Sequence, residues 1–279
     1  MLACRQPVPQ SRTLVVLDDA GDSVAVRVPA TRVVSLIPAS TELLFAIGAG
    51  PAVVGRTQWC DFPREAGKVP NLGDGINPNL EAVLSARPDL VVLYNSAQHA
   101  GAASRLRELG IPAIRINTDA LADVPRIGAL LGRLTGHPRE ADSMSAVFDT
   151  ALASATTEAG SARRTTVLLL VWEQPPMTIG RGSFLSELVE RAGGENLFAD
   201  VSTSSGPVSI EAVSVRDPDL ILTTAAGPAT FASRPEWQVV RAVRERRFLN
   251  LSGSEYDRPG PRSPRAIRTL SDRLQRAVR

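Results

Sequence analysis

"NLEAVLSARPDLVVLY" (79–94) and "SIEAVSVRDPDLILTT" (209–224) are two versions of one phrase. Each opens on a capping residue, continues x-Glu-Ala-Val, breaks, and resumes as Pro-Asp-Leu before a run of apolar residues. Glu81 and Glu211 are 130 positions apart, and so are Pro88 and Pro218. A cap followed by an apolar-periodic segment predicts a helix, and the apolar run after Pro-Asp predicts a strand buried on both faces. The segments upstream repeat the pairing. "TTVLLLVW" (165–172) answers "RVVSLIP" (32–38), and "GSFLSELVERAGGEN" (182–196) answers "ASTELLFAIGAG" (39–50). Strand followed by helix, twice over, predicts an α/β fold of two similar lobes, each on a mainly parallel sheet. The period is far too long for a stack of short repeats.

Working outward, "TLVVLDDAGDSVAVRVPA" (13–30) alternates apolar and polar residues on both sides of Asp-Ala-Gly-Asp, the pattern of a hairpin. In the first helix Ser40 is read as the N-cap, with Leu43, Leu44 and Ile47 at helical spacing and Gly48 as the stop. Residues 119–160 carry apolar side chains at a 3.6-residue period and no strand signal, so they form one long helix or a broken pair, a stiff bridge between the lobes. An amphipathic helix is expected from Ser263. The domains are then a tail (1–12), an N-terminal lobe with its leading hairpin (13–118), the bridging helix (119–160) and a C-terminal lobe (161–279).

Composition narrows the function. Lys and Arg number 31 against 29 Asp and Glu, a net charge of +2. That balance lacks the concentrated basic patch of a nucleic-acid binder. No apolar run reaches the ~20 residues of a membrane span. Two Cys and two His exclude a disulfide scaffold and leave no zinc cluster and no resident metal site. Near the start, Leu-Ala-Cys resembles the end of a bacterial lipoprotein signal, without the apolar stretch that precedes such a cysteine. Either the true start lies upstream and Cys4 is the lipidated residue, or the segment is a polar tail with an ordinary thiol.

No catalytic motif is found. "GAGPAVVG" (48–55) follows its helix instead of opening one, so it is not a dinucleotide loop. His99 and His137 lie in polar loop contexts and read as surface residues, and Cys60 as a packed loop thiol with no neighbouring cation to activate it. An enzyme would need residues scattered beyond what a sequence reveals. More informative are large aromatics at strand ends, where open α/β sheets bind ligands. Tyr94 ends the strand of the first copy, Trp172 ends the first strand of the second, and Trp59 sits in "GRTQWCDFPREAGKVPNLG" (55–73), a loop stiffened by Pro63 and Pro70. "YDRPGPRS" (256–263) adds Tyr256, Arg258 and Arg262, suited to carbonyl, carboxylate or phosphate groups.

Taken in order, "RVVSLIPASTELLFAIGAG", "WCDFPREAGKVPNLG", "NLEAVLSARPDLVVL", "GRGSFLSELVERAGGENLF", "SIEAVSVRDPDLIL" and "RPGPR" resemble the substrate-binding proteins of bacterial ABC importers for vitamin B12, haem and iron siderophores. Cys-Asp-Phe-Pro (60–63) and Pro-Pro-Met-Thr (175–178) are most similar to the cobalamin-binding branch. The resemblance implies two lobes joined by one long helix, a ligand cleft between them, no enzymatic activity and no cofactor. It implies a corrinoid as the transported ligand, contacted by Trp59, Tyr94, Trp172 or Met177, Tyr256, and Arg258 or Arg262. It also implies that Glu81 and Glu211, one per lobe, dock onto arginines of an ABC permease dimer. The monomer would work in the periplasm or on the outer face of the cytoplasmic membrane, lipid-anchored at Cys4 if at all. Two departures stand out: Leu72 and Ser205 occupy the positions where some cobalamin binders carry further tryptophans. Haem held by Tyr94, His99 or Tyr256, or a ferric siderophore held by arginines, are the alternatives.

Overall fold

The computed structural model describes residues 12–159, 164–224 and 229–277, which form two compact units. The first comprises residues 12–118 and 125–145, the second residues 119–124 and 146–277. The tail with Cys4 lies outside the described residues.

The first unit opens with the expected hairpin, β1 (Arg12–Leu17) against β2 (Ser23–Val28), antiparallel. Gly21 takes φ +83° in its turn, and the Asp18 carboxylate accepts the backbone N–H groups of Ala20 and Asp22. A four-stranded parallel sheet follows in the order β4-β3-β5-β6: β3 (Val33–Ser35), β4 (Val53–Arg56), β5 (Leu90–Tyr94) and β6 (Ala113–Ile116). Helices α1 (Pro38–Ala46), α2 (Leu80–Ser85) and α3 (Ala97–Glu108) supply the crossovers. One correction concerns α1. Its N-cap is Ile37, because Pro38 takes the first helical position, where a missing N–H costs nothing. Ser40 therefore falls inside the first turn and its hydroxyl donates back to the Ile37 carbonyl at 2.9 Å.

Of the two expected arrangements the chain adopts the broken pair, α4 (Asp123–Thr135) and α5 (Pro138–Ala159). Gly136, at φ +80°, ends the first and Pro138 starts the second. Helix α4 packs within the first unit apart from its first two residues, while α5 continues from the first unit into the second. Among the described residues no helix is long and apolar enough to cross a membrane.

In the second unit the nine-residue β7 (Thr165–Glu173) is central. Parallel β9 (Gly194–Asn196) pairs its first part and antiparallel β8 (Pro176–Ile179) its last, while parallel β11 (Leu220–Thr223) runs beside its middle. Strands β10 (Ser205–Pro207) and β12 (Phe248–Asn250) complete the order β10-β8-β7-β11-β12. Helices α6 (Phe184–Arg191), α7 (Ile210–Arg216), α8 (Arg241–Arg244) and the amphipathic α9 (Ser263–Ala277) cover it. The core gathers on fully buried Phe231, with the buried Trp237 ring tilted against it at 5.2 Å and Phe248 edge-on at 5.5 Å.

The internal repeat extends to strand register and backbone angle. Val33 faces Leu90 across β3 and β5 as Val167 faces Leu220 across β7 and β11. The Asp89 carboxylate accepts the N–H groups of Thr31 and Arg32, and that of Asp219 accepts Thr166, so each unit pins its first strand to the Pro-Asp-Leu turn. Arg87 and Asp217, the residues before the two prolines, both take left-handed angles, φ +47° and +46°.

Candidate functional site

Each unit carries a hollow at the C-terminal ends of its strands, where the chain leaves the sheet and side chains face outward instead of into a helix layer. It is apolar in the first unit and lined mostly by polar residues in the second. In the first unit the hollow is about 360 Å³ and is walled by Ile37, Pro38, Trp59, Ile76 and Tyr94, with Asp74 and His99 at its edge. Trp59 is 56% exposed, unusual for so large a ring, and the chain holds it there. The Gln58 N–H donates to the Gly73 carbonyl at 2.9 Å, and the Arg56 guanidinium donates to the carbonyls of Thr57, Gly67 and Val69. Beneath Trp59, Cys60 is fully buried, its sulfur 3.2 Å from the hydroxyls of both Thr41 and Thr57. The packed thiol is thus the foot of the loop and Trp59 its outward face.

His99 differs from its surface reading. It is 6% exposed, with Nδ1 3.0 Å from the Tyr94 carbonyl and Nε2 2.8 Å from that of Gly75. Both ring nitrogens face backbone carbonyls, so neither is turned to the open side of the hollow. His137 is half-buried, its Nδ1 at 2.9 Å from the Thr135 carbonyl. Gly75 must be glycine: it takes φ +80°, and a Cβ there would lie 2.5 Å from Thr57 and 3.0 Å from the Leu36 carbonyl oxygen.

The hollow of the second unit, about 600 Å³, lies at the ends of β7 and β11 and is lined by Val171, Trp172, Glu173, Gln174, Thr224, Thr230 and Arg234. Trp172 is 60% exposed and its indole N–H donates to the Gln174 carbonyl at 2.7 Å, which fixes the ring. Met177, half-buried, is its register partner across β7 and β8.

Other expected contacts lie elsewhere. Leu72 turns inward and packs on the buried cluster of the first unit, filling the space above Gly55. Ser205 is in edge strand β10 opposite Ile179, away from the lining of either hollow. Tyr256 is 3% exposed; burial pushes its phenol up, against a hydrogen bond with Arg273 that lowers it. The tyrosine ring packs in the core. Arg262 is held within its own loop by Glu255 at 2.7 Å and Ser254 at 3.0 Å, and Arg258 is half-buried. The arginine that does line a hollow, Arg234, was missed, because it lies eleven residues beyond the end of β11, between two short turns that carry no strand-end signal. No group of His, Cys, Asp or Glu among the described residues could hold a metal.

Glu81 and Glu211 are both exposed and both second in their helices, behind Asn79 and Ser209, whose side chains accept the N–H groups of Ala82 and Ala212 at 3.1 Å. Hydrogen bonds from its own backbone and from Ser209 hold the Glu211 carboxyl below the usual range.

Comparison with known proteins agrees with this architecture. A model of the periplasmic binding protein family matches residues 33–254. A vitamin B12-binding protein of Vibrio parahaemolyticus is 25% identical, over 90% of this chain and 92% of its own. An ABC transporter substrate-binding lipoprotein of Bacillus subtilis is 28% identical, over 93% of this chain and 85% of its own. Among solved structures, the apo periplasmic heme-binding protein of Roseiflexus superposes with a TM-score of 0.80 at 25% identity, covering 90% of this chain and 100% of its own.

Proposed function

The chain belongs to the periplasmic binding protein family, and we propose that within it this protein captures a cobalamin-like corrinoid outside the cytoplasm and passes it to an ABC permease. The family consists of binding proteins, not enzymes, and what its members carry is a transported ligand, not a cofactor. The single observation behind the ligand class is that two of the three tryptophans, Trp59 and Trp172, stand more than half exposed, each on a hollow at strand ends. A corrin has broad apolar faces and an amide rim. Indole rings cover such faces, and polar groups at the edges of the hollows meet the rim. Tyr94 in the first unit and Met177 in the second belong to the same assignment. Glu81 and Glu211 are the permease-docking carboxylates, two exposed acceptors on short, well-capped helices of matching sequence. Cys4 is the residue for a lipid anchor, where the mature protein carries one.

Haem is the second reading, favoured by the resemblance to the heme-binding structure and not by the histidine, since both nitrogens of His99 face carbonyls. Calorimetric titration with cyanocobalamin, haemin and a ferric siderophore in parallel separates the readings. Saturable 1:1 binding of cyanocobalamin alone is expected. A signal from haemin alone would transfer the same hollows to haem.

A further inference from the structure

Arg234 has the setting of a recognition group. Its backbone is fixed at both ends, the N–H donating to the Phe231 carbonyl at 3.1 Å and the carbonyl accepting the Trp237 N–H at 3.2 Å. Phe231 and Trp237 are the fully buried centre of the second core, so the arginine stands on its most rigid part. The side chain reaches the hollow that holds Trp172 and is half-buried there. Other arginines of this unit are used inside the fold: Arg216 pairs with Asp200, Arg241 with Asp217, Arg262 with Glu255. The Arg234 guanidinium makes no hydrogen bond or ion pair among the described residues. Glu173, which lines the same hollow, accepts the Thr230 hydroxyl and makes no ion pair with Arg234.

A fixed base, an unused fork of N–H donors and an exposed indole in one hollow form an incomplete binding site. We propose that Arg234 selects the rim of the ligand: its guanidinium donates to an oxygen, carboxylate or amide, at the edge of a flat macrocycle whose face covers Trp172. This rests on the reading of the protein as a corrinoid- or haem-type binder. The planar fork suits an sp² oxygen acceptor, and partial burial strengthens the bond relative to water.

The test is equilibrium titration of wild-type protein, R234A and R234K with cyanocobalamin and with haemin, at low and high salt. R234A is expected to weaken the bound macrocycle roughly tenfold or more, as for hydrogen bonds to charged groups. R234K, a point charge without the fork, restores part of the loss. Both variants keep the wild-type unfolding midpoint, because the guanidinium bonds nothing in the fold. A loss confined to haemin that shrinks with salt identifies a carboxylate; a loss on cyanocobalamin insensitive to salt identifies an amide. Wild-type affinity in R234A overturns the assignment of Arg234 and leaves the function standing. Wild-type protein that binds neither macrocycle overturns the function and this assignment with it.

Discussion

Trp59, Trp172 and Trp237 are one residue type in three situations: the first two more than half exposed at hollows, the third fully buried. Alanine at 59 or 172 is expected to lower ligand affinity roughly tenfold, as for a buried aromatic anchor, with little change in unfolding. Trp237→Ala should instead destabilise the second unit by ~3–5 kcal/mol through the cavity left beside Phe231, readable by urea unfolding. The sequence pointed to Trp59 and Trp172 because loop context and strand ends are visible in it. It did not show the burial of Tyr256 and His99, whose environments come from packing between segments far apart in the chain. His99 meets the Gly75 carbonyl 24 positions away, and no local pattern announces that. Leu72 occupies a loop position in the sequence and a core position in space for the same reason.

At the scale of elements, caps and turns were legible because their signals are local. Asn79 and Ser209 cap their helices as read, and replacing either by Ala should cost ~1 kcal/mol of stability, measured by chemical unfolding. The first helix was read three residues late because Ser40 and Pro38 both signal a start, and the proline wins by occupying the first helical position. The hairpin is tied to β6 by charge. The Asp22 carboxylate accepts from the guanidinium groups of Arg115 and Arg107, each at 2.9 Å, and those hydrogen bonds hold its pKa below the usual value. A carboxyl depressed by folding adds stability that is complete above its unfolded-state pKa and is lost as pH falls through the lowered folded value. Unfolding curves across a pH series should therefore show Asp22→Asn less stable than wild type near neutrality. The gap should close on acidification into and below the carboxylate range.

For the whole molecule, the decisive signal was the spacing of 130 between matching phrases, which predicted two α/β units and reappears as matching strand register and matching left-handed residues. What the sequence left undetermined was the division of residues 119–160, because helical periodicity runs on both sides of Gly136 and Pro138 and does not itself show where one helix ends. A binding protein also has a thermodynamic signature. Ligand at about a hundredfold over its dissociation constant stabilises the folded state by ~2.7 kcal/mol, so cyanocobalamin should raise the unfolding temperature by several degrees. The rise should shrink in Trp59→Ala and Trp172→Ala at the same ligand concentration.

The central claim is capture of a flat corrinoid without chemistry, and native mass spectrometry of the protein mixed with equimolar cyanocobalamin tests it most directly. The account predicts a single 1:1 complex that releases cyanocobalamin of unchanged mass on denaturation. Absence of a complex, or recovery of a chemically altered corrinoid, would contradict it.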